Sequence, residues 1–371
     1  MRSSAGPIGA ESIRPAVGIL VTDNRRRGAE VQAARTAGGL DEVGWEVEFR
    51  SLASSPEPVV GAPPLTAMRR SDLGRFNPSL VRPTRQFLRR NSNGVVLAWG
   101  SLTVRYVAAA AAALRHRPRL GYVSIGSPSA WVSGRRQTAR YRWLAGRYDF
   151  IIAVSDRTKH ELVDAIGIPS SKITVIRSAA PERFLTLPSQ EHDGPTRVLF
   201  VGSLSAEKDP IAAVTAFGIA ADEADLLLSI VGDGPLLEAT EAAVAAQNLG
   251  ARVEFVGSVA DVGPHFVWAD ALLLTSTTEG LPGVLIEAAA AGLPSVAYGV
   301  GAVDEVIEDG SSGIVVRDRT VESAARALVT LAGDRDLRRR LGDRARTIAN
   351  ERFLIRSAMD ETDRLLRDQL M

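Results

Sequence analysis

The sequence predicts an α/β protein built of two Rossmann-like, doubly wound domains that face each other across a cleft. At 371 residues the chain exceeds the size at which one hydrophobic core usually stops growing. Short apolar runs that end near glycine alternate with segments of helical period, which is typical of parallel sheets covered by helices on both faces. Residues 185–196 (LTLPSQEHDGPT) carry two prolines, a glycine and charged residues, and this composition predicts a linker. We expect an N-terminal domain over residues 1–187, a C-terminal domain over residues 188–355, and a last amphipathic helix over residues 356–371 that can cross back to the first domain.

Ten apolar segments are predicted strands, five in each half of the chain. In order they are AVGILVT (16–22), GWEVEFRSL (44–52), GVVLAWG (94–100), RLGYVSIG (119–126), YDFIIAVS (148–155), RVLFVGS (197–203), DLLLSIVGDGP (225–235), RVEFVGS (252–258), DALLLTSTTEG (270–280) and LPSVAYGVGAV (293–303). In the second half each strand ends at glycine, at the sheet edge where open α/β sheets bind ligands. Residues 29–40 predict a helix, whereas residues 53–93, rich in Pro, Ser and Arg, predict a loop.

The composition limits the classes of protein. With 45% apolar and 23% charged residues the chain has a soluble, globular balance. There are no cysteines, which excludes disulfides, thiolate nucleophiles and cysteine metal sites. The N-terminus lacks the apolar run of a signal peptide, and the longest apolar stretch (107–114) is too short to span a bilayer. A cytoplasmic protein is therefore expected.

The charge is unevenly distributed along the chain. Residues 1–150 contain 23 Arg, no Lys and 10 acidic residues, a net charge of +13, whereas the remainder has a net charge of −12. This asymmetry indicates that the first half meets an anion or an anionic surface. A general preference for arginine over lysine is the alternative, but it does not explain the shortage of acids.

The segment TSTTEGLPGVLIEAAAAGLP (275–294) places two glutamates eight residues apart. Glu279 lies in the loop after a strand, and Pro282 suits the first turn of a helix that Gly292 ends. The amides of Gly283, Val284 and Leu285 would then form an anion site at the N-terminus of this helix. Gly280 and Gly283 would let a ligand approach the backbone, which a Cβ would obstruct.

Glu287 lies about five residues into the same helix, within an otherwise apolar run. A carboxylate is costly in such a place unless it accepts hydrogen bonds. The vicinal diol of a ribose would supply two donors, with a diphosphate one step away at the helix N-terminus. The alternative partner of Glu287 is an arginine or a backbone amide.

The residues EGLPGVLIE (279–287) resemble the E-x7-E element of retaining nucleotide-sugar glycosyltransferases of the GT-B fold, glycosyltransferase family 4. Further segments resemble that family in its order: FVGSLSAEKDP (200–210), IVGDGP (230–235), RVEFVGSVAD (252–261), GLPSVAYGVGAVDEVIEDGSSGIVV (292–316), DFIIAVSDRTKHELVDAIGIPSSKITVI (149–176) and, weakly, RRGAE (26–30). The resemblance is strong over residues 148–316 and faint before them.

This resemblance implies roles for individual residues. Glu287 would hold the donor ribose, and Glu279 the transferred sugar near its reacting carbon. The ammonium of Lys208 and the segment Gly280, Leu281, Pro282, Gly283 and Val284 would bind the diphosphate, beside the loop of Gly202 and Ser203. The loop with Gly257 and Val259 would meet the base, and Gly28 would approach the donor from the other domain. The family retains anomeric configuration, the leaving diphosphate assisting the incoming hydroxyl, and no metal or other cofactor is expected.

Three departures from the family pattern lie near the reacting end. Ser203 stands where the family usually has an arginine, which removes about 1.5–3 kcal/mol of leaving-group stabilisation if nothing replaces it. Ile125 stands where the family often has a histidine, in a loop that offers Ser127 as a contact to diphosphate or acceptor. Arg177-Ser178-Ala179 replaces a Pro-Asn-Gly turn, and Arg177 is a candidate for the lost charge.

Two arginine-rich segments, residues 68–90 and 133–148, raise the question of a partner. One interpretation is a surface that docks on anionic lipid or grips an acidic, lipid-linked acceptor; the other is a solvated helix face and a loop. Nucleic acid is not expected, since no nucleic-acid-binding signature accompanies the charge.

The predicted function is therefore transfer of a sugar from a nucleotide-diphosphate-sugar to a hydroxyl acceptor, with retention, at or near the cytoplasmic membrane face. Two alternatives stay open: a non-catalytic homologue that binds nucleotide or a partner, favoured by Ser203 and Ile125, and a nucleotide-sugar epimerase. A dehydrogenase is disfavoured, because GDGP lacks the third glycine of a dinucleotide fingerprint.

Overall fold

The computed structural model describes residues 14–25, 27–55, 61–69, 73, 76–130, 132–188 and 192–371. These residues form two six-stranded sheets, each entirely parallel and each covered by helices on both faces. The strand orders are β2-β1-β3-β4-β5-β6 and β12-β11-β10-β7-β8-β9, numbered along the chain. The predicted fold class, two doubly wound α/β domains, is confirmed.

The elements of the first sheet and its helices are β1 (Ala16–Val21), α1 (Gly28–Glu42), β2 (Glu46–Ser51), α2 (Val81–Arg90), β3 (Val95–Trp99), α3 (Ser101–Ala111), β4 (Arg119–Ser124), α4 (Gly134–Ala145), β5 (Phe150–Ala153), α5 (Asp156–His160) and β6 (Ile173–Val175).

The second sheet and its helices, with the C-terminal helices, are β7 (Thr196–Val201), α6 (Pro210–Ala221), β8 (Leu226–Val231), α7 (Leu237–Ala246), β9 (Val253–Gly257), α8 (Gly263–Trp268), β10 (Ala271–Leu274), α9 (Gly283–Ala290), β11 (Ser295–Tyr298), α10 (Val303–Val306), β12 (Gly313–Val316), α11 (Val321–Gly333), α12 (Arg335–Arg352) and α13 (Ile355–Asp368).

Most of the apolar runs form strands that are buried on both faces, whereas the edge strands β2 and β9 are only partly buried. In β1, Val17 and Ile19 lie in one hydrophobic core and Leu20 lies in the core on the other side of the sheet. All ten predicted strands are present. Two further strands, β6 and β12, were not predicted; each lies at an edge of its sheet.

The prediction of a loop throughout residues 53–93 is wrong for its last part, which contains α2. This helix buries Thr84, Phe87 and Leu88 at helical spacing and leaves its four arginines mostly outside. Pro83 lies in the first turn, where no intrahelical N–H is lost, so it does not break the helix. The abundance of Arg and Pro made the short buried face of this helix difficult to recognise in the sequence.

The C-terminal helix α13 packs on the first domain. A Cβ on Gly39 of α1 would lie 2.5 Å from Met359 Sδ, so the two helices approach closely. Trp45 Nε1 donates a hydrogen bond to Asp363 Oδ1 at 2.7 Å, and Arg119 Nε donates to the carbonyl of Gln369 at 3.1 Å. These contacts hold the end of the chain against α1 and the neighbouring sheet.

We expect Asp363→Ala to lower the free energy of unfolding at neutral pH by about 1–3 kcal/mol, because it leaves the N–H of the fully buried Trp45 without an acceptor. Burial raises the pKa of Asp363, but hydrogen bonds from Arg367 and Trp45 outweigh it and hold the pKa below its usual value. The stabilisation is therefore present above about pH 4 and is lost as the pH falls through the folded-state pKa. Urea unfolding at neutral and acid pH measures it.

The matched control is Asp360→Ala, which removes an exposed carboxylate from the same helix. An equal loss of stability in both variants, or a loss that does not shrink in acid, would contradict this role for Asp363.

Candidate active site

The candidate site lies at the carboxyl edge of the second sheet, where β7 and β10 are neighbours. Thr275, directly after β10, donates a hydrogen bond from Oγ1 to the carbonyl of Asp209 at 2.8 Å. The amide of Thr277 donates to the carbonyl of Glu207 at 2.9 Å. These bonds fasten the loop after β7 to the loop after β10 and so bring together side chains that are 71 residues apart in sequence.

Lys208 and Glu279 are the side chains brought together. Lys208 Nζ lies 2.5 Å from Glu279 Oε1, and the Glu279 side chain is only 9% exposed. The backbone of Glu279 is held by the loop after β11: a Cβ on Gly301 would lie 2.0 Å from the Glu279 carbonyl oxygen, and the amide of Ala302 donates to the carbonyl of Gly280 at 2.9 Å. The pair is thus a fixed arrangement of opposite charges.

Helix α9 begins directly after this pair. Pro282 is its N-cap residue rather than its first helical residue, and both Leu281 and Pro282 are buried. The amide of Leu285 was expected to be open to an anion. It instead donates to the carbonyl of Pro282 at 3.1 Å, so this expectation is wrong. Gly283 and Val284 remain at the N-terminal end of the helix, where an anion is stabilised.

Glu287, one turn further along α9, forms an ion pair with the other domain. Arg35 Nη1 lies 2.8 Å from Glu287 Oε1, and both side chains are mostly buried. Gln32, one turn before Arg35 on α1, lies close to Gly283, where a Cβ would be 3.6 Å from its Nε2. Helix α1 therefore runs beside α9 and forms the opposite wall of the cleft.

An arginine was one of the partners considered for Glu287, but Arg35 itself was not identified from the sequence. The available signal was weak: Gln32 and Arg35 are the two long polar side chains on one face of a helix otherwise rich in alanine.

Three glycines meet at the ends of β7, β8 and β9. A Cβ on Gly232 (φ +143°) would lie 1.9 Å from the carbonyl oxygen of Gly202, and the amide of Gly232 donates to the carbonyl of Gly257 (φ +79°) at 2.8 Å. A side chain at Gly232 would clash with Gly202, and a side chain at Gly232 or Gly257 would strain the backbone. The result is a bare backbone edge next to Lys208.

Ser203, Val259 and Gly28 are the remaining predicted donor residues. The carbonyl of Ser203 accepts a hydrogen bond from the amide of Ser205 at 2.8 Å. Val259 is half-buried against the core of the second domain. Gly28 is the first residue of α1 and faces open space.

The loop after β4 is the part of the first domain that contacts the loop carrying Glu279 and Gly280. A Cβ on Gly280 would lie 2.2 Å from the carbonyl oxygen of Ile125, so only glycine allows this approach. Ser127 Oγ donates to Glu161 Oε2 at 2.7 Å, and the same oxygen accepts from the amide of Ser129 at 3.1 Å and its hydroxyl at 2.9 Å. Glu161, which was not predicted, thus fixes this loop.

Arg177 lies among carboxylates. Its guanidinium pairs with Asp156 and, at 3.6 Å from Nε to Oε2, with Glu305 of the second domain. Glu305 also accepts from the amides of Asp156 (3.2 Å) and Arg157 (2.9 Å) at the start of α5. The charge of Arg177 is therefore already balanced, and its suggested contact with a diphosphate stays a prediction. Glu305 was not predicted.

Tyr298 ends β11 at the same sheet edge. Burial and the nearby carboxylates of Asp209, Glu322 and Asp318 raise the pKa of its hydroxyl to about 12. The phenol is therefore neutral at physiological pH and offers a hydrogen-bond donor rather than a base.

Two family models match the chain. Residues 26–180 match the model of "Glycosyltransferase Family 4", and residues 186–348 match that of "Glycosyl transferases group 1". The chain belongs to the group 1 glycosyl transferases of glycosyltransferase family 4, with the GT-B fold.

Curated relatives share part of the sequence, and solved structures superpose on most of the chain. The 2-deoxystreptamine glucosyltransferase of Streptomyces kanamyceticus is 32% identical over 212 residues, 53% of this chain and 54% of that protein. Sucrose-phosphate synthase from Thermosynechococcus elongatus superposes with a TM-score of 0.81 at 20% identity, over 96% of this chain and 99% of that one. Anabaena HepE in complex with UDP-glucose gives 0.79 at 18% identity, over 95% and 99%. The chain spans about half the length or less of the first curated relatives it matches.

The described residues contain neither a metal-binding cluster nor a helix that could span a membrane. No group of three or more His, Asp or Glu side chains lies close enough there to hold a metal ion. Within the same residues, no helix combines the length and apolar character needed to cross a bilayer.

Proposed function

We propose that the chain is a retaining glycosyltransferase that moves a sugar from a nucleotide-diphosphate-sugar to a hydroxyl acceptor without a metal ion. The observation that carries this proposal is the Lys208–Glu279 pair, fixed beside the N-terminus of α9 with Glu287 one turn further on. The bare backbone at Gly202, Gly232 and Gly257 lies next to it.

Each group then has a physical task. The Lys208 ammonium and the amides of Gly283 and Val284 would stabilise the negative charge that develops on the departing diphosphate. Glu287 would accept hydrogen bonds from the ribose diol, and Glu279 would hold the transferred sugar.

Retention follows if bond formation and cleavage occur on the same face of the sugar. The bond from the anomeric carbon to the diphosphate oxygen breaks, the acceptor oxygen forms a bond to that carbon, and the acceptor proton passes to the departing diphosphate. No protein base is required for this step. The nucleotide donor is supported by HepE, whose solved complexes contain UDP-glucose and UDP.

A non-catalytic homologue is the second candidate, and Ser203 is the observation that favours it. The loop after β7 provides Lys208 as its only cationic side chain, since position 203 is a serine. Such a protein would bind nucleotide and form no product. An epimerase would change the sugar of the donor without an acceptor.

The test is thermal unfolding of the purified chain with UDP, GDP, ADP and TDP, each with and without common sugars attached. A ligand at 100 times its Kd adds about 2.7 kcal/mol, which raises Tm by a few degrees. Release of free nucleoside diphosphate from the sugar nucleotide that binds, measured with and without acceptors, then separates transfer from binding alone. Failure of every nucleotide to raise Tm would overturn the proposal.

We place the reaction at the cytoplasmic face of a membrane, with a lipid-linked or otherwise anionic acceptor. The net charge of +13 over residues 1–150 supports this placement.

A further inference from the structure

Helix α4 exposes a basic and aromatic stripe, here termed the α4 face: Arg136, Arg140, Trp143 and Arg147. The first three follow helical spacing on the side of α4 opposite the buried Tyr141 and Ala145, and Arg147 follows just after the helix. Trp143 is 59% exposed, which is unusual for so large an apolar side chain. The guanidinium of Arg147 lies over its ring at 4.4 Å.

The α4 face carries uncompensated positive charge. The sequence of α4, GRRQTARYRWLA, contains no acidic residue. Arg136 and Arg140 are exposed and enter no ion pair with any residue that the structure describes. The more lateral Arg142 donates from Nε to the carbonyl of Ile166 at 2.5 Å and so helps to hold the helix.

The face is rigidly attached to the domain. On the inner side of α4, Tyr141 donates a hydrogen bond to the hydroxyl of Tyr122 on β4 at 2.7 Å, in the buried core. Tyr148, just after the helix, donates to the carbonyl of Val104 at 2.8 Å. An exposed tryptophan on a helix held this firmly is a built surface feature and not a product of local unfolding.

The α4 face also follows, in the sequence, a loop that borders the cleft. The loop with Ile125 and Ser127, which touches Gly280, leads through the turn Pro128–Ala130 into α4 at Gly134. A short segment of chain therefore connects the α4 face to the part of the first domain that contacts Gly280.

We propose that the α4 face docks on a bilayer that contains anionic phospholipids. Arginine pairs with lipid phosphate, and tryptophan prefers the headgroup layer, so the combination fits a membrane surface better than a fully hydrated acidic polymer. The proposal rests on the proposed function for its purpose: docking would present the cleft to a membrane-bound acceptor.

The experiment is co-sedimentation of the full chain with vesicles of phosphatidylcholine alone and of phosphatidylcholine mixed with phosphatidylglycerol. We expect binding to the mixed vesicles, weakened by salt, and little binding to phosphatidylcholine. Arg136→Glu with Arg140→Glu should weaken binding to mixed vesicles by at least about 25-fold, on the basis of about fivefold for each basic residue at the surface. Trp143→Ala should weaken it as well, without changing the net charge.

The matched control is Arg339→Glu with Arg340→Glu on α12, which makes the same charge change at exposed positions of the second domain. It should alter binding by less than about fivefold, the effect of one basic residue at the surface. Equal losses of vesicle binding in both double variants would overturn the proposal. Failure of the wild-type chain to bind anionic vesicles would also overturn it. Tight binding of soluble dextran sulfate, without binding to vesicles, would overturn it in favour of an acidic polymer.

The nucleotide-induced rise in Tm tests the proposed function independently of vesicle binding. Arg136→Glu with Arg140→Glu should show the same cooperative unfolding and the same nucleotide response as wild type. A chain that binds vesicles through α4 but responds to no nucleotide would refute the proposed function and leave the docking surface standing.

Discussion

Glu287→Ala is expected to weaken nucleotide binding by at least about 100-fold. A ribose diol that donates two hydrogen bonds to a carboxylate contributes about 1.5–3 kcal/mol for each bond, and about 1.4 kcal/mol corresponds to tenfold in Kd. Isothermal titration calorimetry with the nucleotide chosen by thermal shift measures the change. Unfolding of the variant should stay cooperative.

Arg35→Ala provides the complementary variant, because Arg35 holds the same carboxylate from the other domain. A ribose diol that uses Oε1 of Glu287 would compete with this guanidinium. Removing Arg35 should therefore raise nucleotide affinity by up to about fivefold, the size of an ion-pair contribution near 1 kcal/mol. If Arg35→Ala instead weakens binding, Arg35 contacts the donor itself. If Glu287→Ala lowers Tm while affinity is unchanged, Glu287 serves only the ion pair.

Lys208→Met is expected to lower kcat by about 100- to 1,000-fold, the effect of removing one fixed donor from a site where charge develops. The loss should be larger in kcat than in nucleotide affinity, since the ammonium acts most strongly on the charge of the departing diphosphate. Steady-state rates of nucleotide release with the donor and acceptor found above provide the measurement.

Lys172→Met is the matched control. This lysine lies just before β6, where Nζ donates to the carbonyl of Tyr148 at 3.1 Å, and its loss should leave kcat within about twofold, as is usual for a residue outside the site. Lys208→Arg, which keeps the charge, should recover part of the rate. A Lys208→Met enzyme with normal kcat would show that Glu279 and the helix amides act without the ammonium.

Much of the fold and half of the site could be predicted from local sequence patterns. Eight of the ten predicted strands are largely buried on both faces, and their apolar character is visible in each segment by itself; the edge strands β2 and β9 are less buried. Lys208 and Glu279 follow strands that turn out to be neighbours in one parallel sheet, so the rule that ligands bind at carboxyl ends placed both at one edge.

The contacts between the domains could not be predicted in this way. Arg35 and Glu287 are 252 residues apart, and Glu305 reaches a helix that begins at Asp156. Such contacts depend on how two independently formed sheets are oriented, which leaves no period or spacing in either segment. Glu161 was missed for a related reason, since its partners Ser127 and Ser129 lie in a separate loop.

The short segment from Gly301 to Glu305 connects the loop of Glu279 to the opposite domain. At one end Gly301 abuts the backbone of Glu279, and at the other end Glu305 accepts the first amides of α5 in the opposite domain. If the domains separate by a hinge rotation, we expect this segment to shift the backbone of Glu279, the carboxylate that we propose holds the sugar. Domain closure and the alignment of Glu279 would then be coupled, and domain opening would release that alignment.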